Sequence, residues 1–212
     1  MRISPVLAVL LLLTLTGCAT NTQSVDMNEP RRIVGTENDV RVDAQIFGEK
    51  LGTSTSIPLK YDVTNERGEA IAIADLIPEA TYDPDTQTVT VSIGAEVPGA
   101  ELLPRLIAIA PGEKKSFSTV ARVNIMVGRA VTPNSRFPNA LRLKINFLSD
   151  TAQFRELIAM TERAMYNPKL ADQLFPTWLE KNETVYTNTV PMRWMFEPEA
   201  DPPTAGRRRR RG

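Results

Sequence analysis

Residues 114–127 read KKSFSTVARVNIMV. Phe117, Thr119, Ala121, Val123, Ile125 and Val127 share one face of this run. Successive side chains of an extended chain point to opposite faces, so a sustained period of two predicts a long strand lying half buried on a core. Residues 140–148 repeat it: Leu141, Leu143, Ile145 and Phe147 alternate with Arg142, Lys144 and Asn146, which are expected to point outward.

The pattern extends toward the N-terminus. Val40, Val42, Ala44 and Ile46 alternate with Arg41, Asp43 and Gln45, and Ile57, Leu59, Tyr61 and Val63 alternate with Pro58, Lys60 and Asp62. NERG at 65–68 is turn chemistry, and the unbroken apolar run AIAIADL at 70–76 suits a strand buried on both faces. EATY and TVTVSI flank DPDTQ at 83–87, whose Asp-Pro-Asp start favours a type I turn and predicts a hairpin. After a Pro/Gly-broken loop, LIAIA at 106–110 meets the turn PGEK. About seven or eight short strands separated by turns imply two packed sheets. YDVTNERGEAIAIADL (61–76) followed by LIAIAPGEKKSFSTVARV (106–123) resembles the strand–turn–strand and PGE-led strand of bacterial immunoglobulin-like domains. The resemblance spans residues 57–127 and implies an immunoglobulin-like two-sheet β-sandwich. It brings no functional residue with it.

Beyond residue 149 the period changes. Asp150 is placed to cap a helix with Gln153 reaching back, and Phe154, Leu157, Ile158, Thr161, Ala164 and Met165 line one stripe until Asn167-Pro168 stops it. Thr177 and Glu180 repeat the capping spacing for a shorter helix around 178–182. TVYTNTV and MRWMF read as a returning strand or extended edge. The expected organisation is therefore a sandwich at 39–149, a helical appendage with a returning strand at 150–196, and a disordered tail at 197–212 ending in five arginines.

The N-terminus reads as an export signal. Met1 and Arg2 are followed by the apolar run VLAVLLLLTL at 6–15 and by small Gly17. A membrane-spanning helix needs about twenty apolar residues, and this run breaks at Thr16–Gly17 before the polar NTQSVDMNEP. Leu15-Thr16-Gly17-Cys18 resembles the lipobox of bacterial lipoproteins. That resemblance implies that the signal at 1–17 is removed and that Cys18 carries a diacylglyceryl group and an acylated amine. Two or three acyl chains make a stable anchor where one binds only marginally. Ala19 stands where an inner-membrane retention signal would place Asp, so the resemblance implies an outer-membrane anchor. Residues 18–38, polar with scattered Pro and Gly, read as the lipidated N-terminus and a flexible tether.

Charge adds two constraints. Without Arg2 the chain has 24 basic and 25 acidic residues, which gives no electrostatic footprint for nucleic acid. Removing Arg207, Arg208, Arg209, Arg210 and Arg211 as well leaves a body with 19 basic against 25 acidic residues. The basic end could therefore contact an anionic leaflet. Cys18 is the only cysteine, so once it is lipidated no thiol remains for a disulfide or a metal, and the core holds by packing alone.

The chain has no histidine, which removes Ser-His-acid and Cys-His catalysis and most zinc and iron sites. It contains no phosphate-cradling or nucleophile-elbow glycine motif. Asp83-Pro-Asp85 resembles the start of a calcium loop, but Thr88 stands in place of the turn glycine and no Glu closes the loop, so a hairpin turn is expected. Glu66 and Glu69 read as solvated turn acids, and Ser116 and Ser118 near Lys114 and Lys115 as the exposed face of a strand. No catalytic residue, cofactor or metal ligand is assigned. Phe175/Trp178 and Trp194/Phe196 are expected mainly to pack the appendage, and Trp194 beside Arg193 is the better partner candidate.

These readings favour a non-catalytic, lipid-anchored interaction or assembly module of the cell envelope, held at the membrane by Cys18 and serving an envelope protein partner. Two other classes stay open: a structural envelope protein gripping anionic lipid or cell-wall polymer with its arginine tail, and a hydrolase working with carboxylates alone.

Overall fold

The computed structural model describes residues 31–125 and 136–195, and these form a mainly β structure with several sheets. In chain order the first strands are β1 (Arg31–Glu37), β2 (Val40–Ile46), β3 (Lys50–Leu51), β4 (Ser54–Asn65) and β5 (Ile71–Ala74). Then come β6 (Glu79–Asp83), β7 (Thr88–Ile93), β8 (Leu102–Pro104), β9 (Leu106–Ile109), β10 (Lys114–Asn124) and β11 (Ala140–Ser149). A 3₁₀ turn at Thr151–Phe154 leads into α1 (Arg155–Ile158), and β12 (Ala164–Tyr166) precedes α2 (Pro168–Lys181). β13 (Asn182–Tyr186), β14 (Val190–Pro191) and β15 (Arg193–Trp194) end the described chain.

The first sheet runs β1-β2-β4-β10 and is antiparallel throughout. Its turn between β1 and β2 places Asn38 and Asp39 at φ 51° and 55°, the left-handed pair that a tight hairpin requires. The second sheet runs β6-β7-β11-β5-β9, with β13 and β14 also on β11. β11 is its hub: it runs parallel to β7 over Ala140–Ile145 and antiparallel to β5 at Leu148–Ser149 and to β13 over Lys144–Leu148.

The inward residues of both sheets make one core, in which Val42, Val63 and Val123 of the first sheet meet Val91, Leu143 and Ile145 of the second. The sheets also approach at their edges. A Cβ at Gly35 would lie 2.2 Å from the Tyr186 carbonyl oxygen, so only glycine lets β1 come this near β13. Beside it, Val34 donates to Asn188 Oδ1 at 2.7 Å and Asn188 N–H donates to the Val34 carbonyl at 3.0 Å.

A second core lies on the outside of the second sheet. Ala72, Ala74 and Leu148 project there against Leu103, Leu106, Phe154, Leu157, Leu174 and Trp178. Phe154 meets Trp178 edge to face at 5.7 Å, and the indole Nε1–H donates to the Ala95 carbonyl at 3.2 Å. β5 is buried at all four positions because Ile71 and Ile73 enter the first core and Ala72 and Ala74 the second.

Several expectations are corrected. The tether does not reach residue 38, since Arg31–Glu37 is a full strand with Ile33 in the core. Its polar neighbours and Gly35 hid the alternation. The helix expected from Asp150 to Asn167 ends at Ile158. Ala164 and Met165 instead form β12, pairing with Pro104 and Leu103 of β8, so strand pairing overrode a helical stripe. Asn167-Pro168 starts a helix where a stop was expected: the Asn167 side chain accepts from Leu170 N–H at 3.0 Å and Pro168 occupies the first turn, where its missing N–H costs nothing. Asn146 is buried, donating to the Ile93 carbonyl at 3.4 Å and accepting from the Thr184 hydroxyl at 3.0 Å. The returning strand is confirmed as β13, and it completes the second sheet.

Candidate functional site

Cys18, Phe196 and Arg207 to Arg211 lie outside the described residues, as does Val127. Trp194 is half buried in β15, packs against the first core and stacks on Phe137 at 5.6 Å. Arg193 is exposed with its guanidinium 3.9 Å from Glu49, which also takes Arg31 at 3.3 Å. The tryptophan thus holds β15 against the core, and the arginine closes a surface ion-pair cluster. Trp178 is fully buried, whereas Phe175 is exposed on α2.

The weaker chemical candidates resolve into local structure. Asp83 accepts from Asp85 N–H at 2.9 Å and from the Thr86 hydroxyl at 2.8 Å, which makes a turn, and the Thr86 bond chiefly holds its carboxyl below the usual aspartate range. Ser116 donates to Asp62 at 2.7 Å, and Lys115 Nζ donates to the Ala108 carbonyl at 2.8 Å. Neither forms a serine–lysine pair. Glu66 and Glu69 are exposed in their turn.

The site that sequence reasoning missed is an open cleft of about 690 Å³ on the outer face of the second sheet, beside the second core. Strand register builds its floor: Glu79 of β6 pairs with Ser92 of β7, and Ser92 with Lys144 of β11. All three line the cleft, as does Asn146 two residues along β11. Loops raise its walls. Leu76 and Ile77 come from the segment after β5, Val97 from the segment after β7, and Leu102 from β8; these four are 41%, 64%, 52% and 58% exposed. Gly94, at φ +76°, lets the wall cross β11, because a Cβ there would lie 2.3 Å from the Asn146 carbonyl oxygen.

Ion pairs tie down the rim. Lys144 Nζ lies 2.6 Å from Glu96, and Asp75 takes Arg105 at 2.5 Å and Arg163 at 3.3 Å. The Arg105 and Arg163 contacts bring β8–β12 and the loop after β5 together, which shapes one wall. Glu79 has no ion-pair partner among the described residues. No group of three or more potential metal-ligating side chains occurs among the described residues. Chemically, the cleft offers apolar walls and a polar floor, an arrangement that holds an amphipathic ligand or segment. The sequence signals were Leu76-Ile77-Pro78 and Val97-Pro98-Gly99, apolar residues beside loop breakers, and only the sheet register brings them together.

No protein-family model, curated protein or solved structure matches the chain.

Proposed function

We propose that this chain is a lipid-anchored, non-catalytic interaction module of the bacterial cell envelope, with lipid on Cys18 and an envelope protein partner received in the cleft of the second sheet. One observation carries the cleft: four large apolar side chains from three separate segments stand exposed around a single polar floor. Isolated exposed apolar residues are ordinary, but a convergent set with a polar rim marks a binding surface. The engagement of Lys144 with Glu96 supports binding over catalysis, since the ammonium beside Ser92 is already committed.

The immunoglobulin-like reading belongs to the same proposal. What supports it is that β2–β4, β4–β10, β5–β11 and β11–β13 can be read as counterparts of the A–B, B–E, C–F and F–G pairings of that fold. β1, the β6–β7 hairpin whose β7 runs parallel to β11, and β9 on β5 stand outside those four pairings.

The test is in-cell photocrosslinking with a probe at Ile77, compared with one at Thr36 on the opposite sheet. The expected result is a discrete adduct from Ile77 that disappears in a Leu102→Ser background and is absent from Thr36. Adducts of equal yield at both positions would remove the cleft from the reading. Membrane fractionation tests the anchor separately: Cys18→Ser is expected to lose lipidation and shift to the soluble fraction.

A further inference from the structure

Among the described residues, no second layer packs on the outer face of the first sheet. Alternation along β1, β2, β4 and β10 places five basic side chains there, Arg32, Arg41, Lys60, Lys114 and Arg122, against two acids, Asp43 and Asp62. Both acids are neutralised in place. Asp43 takes Arg32, with Arg41 at 3.9 Å, and Asp62 takes Lys114 at 2.6 Å. Lys60 and Arg122 have no carboxylate partner among the described residues. The chain as a whole leans the other way, with 19 basic against 25 acidic residues once Arg2 and the last five arginines are set aside.

Between the two unpaired cations lies an apolar patch. Phe47 N–H donates to the Pro58 carbonyl at 3.0 Å, and Pro58 is the register partner of Val120. Phe47 is 37% and Val120 46% exposed, and Lys60 Nζ stands 5.9 Å from the Phe47 ring centroid. An aromatic and aliphatic patch flanked by cations that can reach past it is the composition of an interfacial membrane contact: the apolar groups enter the headgroup–acyl boundary while ammonium and guanidinium groups meet phosphate.

We propose that this face docks on an anionic lipid leaflet through Phe47, Pro58 and Val120, with Lys60 and Arg122 on lipid phosphates. The surface is separate from the cleft, and the charge argument needs no lipid on Cys18. If Cys18 is lipidated, thirteen peptide steps hold β1 within about 45 Å of the bilayer. Docked in this way, the module presents its opposite sheet, and so the cleft, away from the membrane.

The experiment uses the chain from Ala19, which retains every described residue and carries no lipid, with vesicles of phosphatidylcholine alone or mixed with phosphatidylglycerol. Partitioning to the mixed vesicles is expected, falling as salt rises. Lys60→Gln with Arg122→Gln should weaken it about 30-fold at low salt, from roughly fivefold per cation. Val120→Trp should strengthen it. All three positions are exposed, so far-UV circular dichroism should match the unsubstituted chain. Equal binding to neutral and anionic vesicles, or unchanged binding in the double variant, would overturn the proposal, and loss only when Arg207–Arg211 are replaced would transfer the contact to the tail. Binding of soluble polyglutamate without vesicle binding would give the face to an acidic protein and also overturn it.

Discussion

The two sheets share one core and differ on their outer faces. Among the described residues the first sheet is bare outside: β2 and β4 alternate buried with exposed or half-exposed residues, and charged side chains stand on the solvent side. The second is covered: helices and loops pack a second core onto it, β5 is buried throughout, and Asn146 and Leu148 of β11 are enclosed. A bare face is free to be charged and to meet a surface. A covered face is closed except where its cover stops, and the cleft lies at that margin. The comparison therefore assigns different work to the two sides, broad electrostatic contact on one and a shaped apolar recess on the other.

The largest test strikes the cover. Trp178 is fully buried against Phe154, and its indole N–H is bonded to the Ala95 carbonyl. Trp178→Ala should cost about 3–5 kcal/mol, the range for removing a large aromatic group from a packed core. Urea unfolding measures the loss. Hydrogen exchange should show α2 deprotected before β2 and β4 if the second core is the separable layer. A cost below about 1 kcal/mol would mean that the cover is not structural and that the two faces differ only in charge.

Gly35→Ala comes next. The new methyl would meet the Tyr186 carbonyl at 2.2 Å, a backbone atom on the opposite sheet, so β1 must move away from β13. About 1–3 kcal/mol is expected, as for other overpacking changes. Thermal unfolding reads the cost, and faster exchange at Val34 and Asn188 N–H locates it. Unchanged exchange there would show that the sheet edges do not depend on this approach.

How much of this was legible in the sequence follows the same division. The bare sheet could be read at β2, β4 and β10, because one wet face and one dry face write a period of two into segments such as Val40–Ile46 and Ile57–Val63, but not at β1, where polar neighbours and Gly35 hid the alternation around Ile33. The covered sheet was legible where burial on both faces gave an unbroken apolar run, as at Ile71–Ala74. It was illegible where tertiary contacts chose between periods. Phe154, Leu157, Ala164 and Met165 have helical spacing, but the last two pair with β8, and Arg163 is fixed by Asp75. Asn167-Pro168 is chemically suited both to stop one helix and to start the next, and local sequence does not distinguish them. The cleft could not be found by pattern, since its walls come from loops whose proximity depends on the parallel register of β7 with β11. Trp194, conspicuous in sequence, proved to be half buried against Phe137.

The smallest expected effect lies on the bare face. Asp62 accepts from Lys114 and from the Ser116 hydroxyl, and these bonds, the lysine's first, hold its carboxyl below the ordinary aspartate range against a minor opposing push from burial. Because the folded value lies below the unfolded one, the pair stabilises the protein above the ordinary aspartate range, and that contribution is lost as pH falls through the folded value. The Lys114 side chain is 59% exposed, so water screens the pair and the contribution should stay within about 0–1 kcal/mol. Asp62→Asn should therefore leave stability at neutral pH nearly unchanged and make the acid limb of a stability–pH curve slightly shallower. The same substitution raises the net charge of the face by one, so binding to phosphatidylglycerol vesicles should strengthen about fivefold at low salt. A loss above about 2 kcal/mol at neutral pH would show that this outer face is as structurally demanding as the covered one, and the contrast between the sheets would fail.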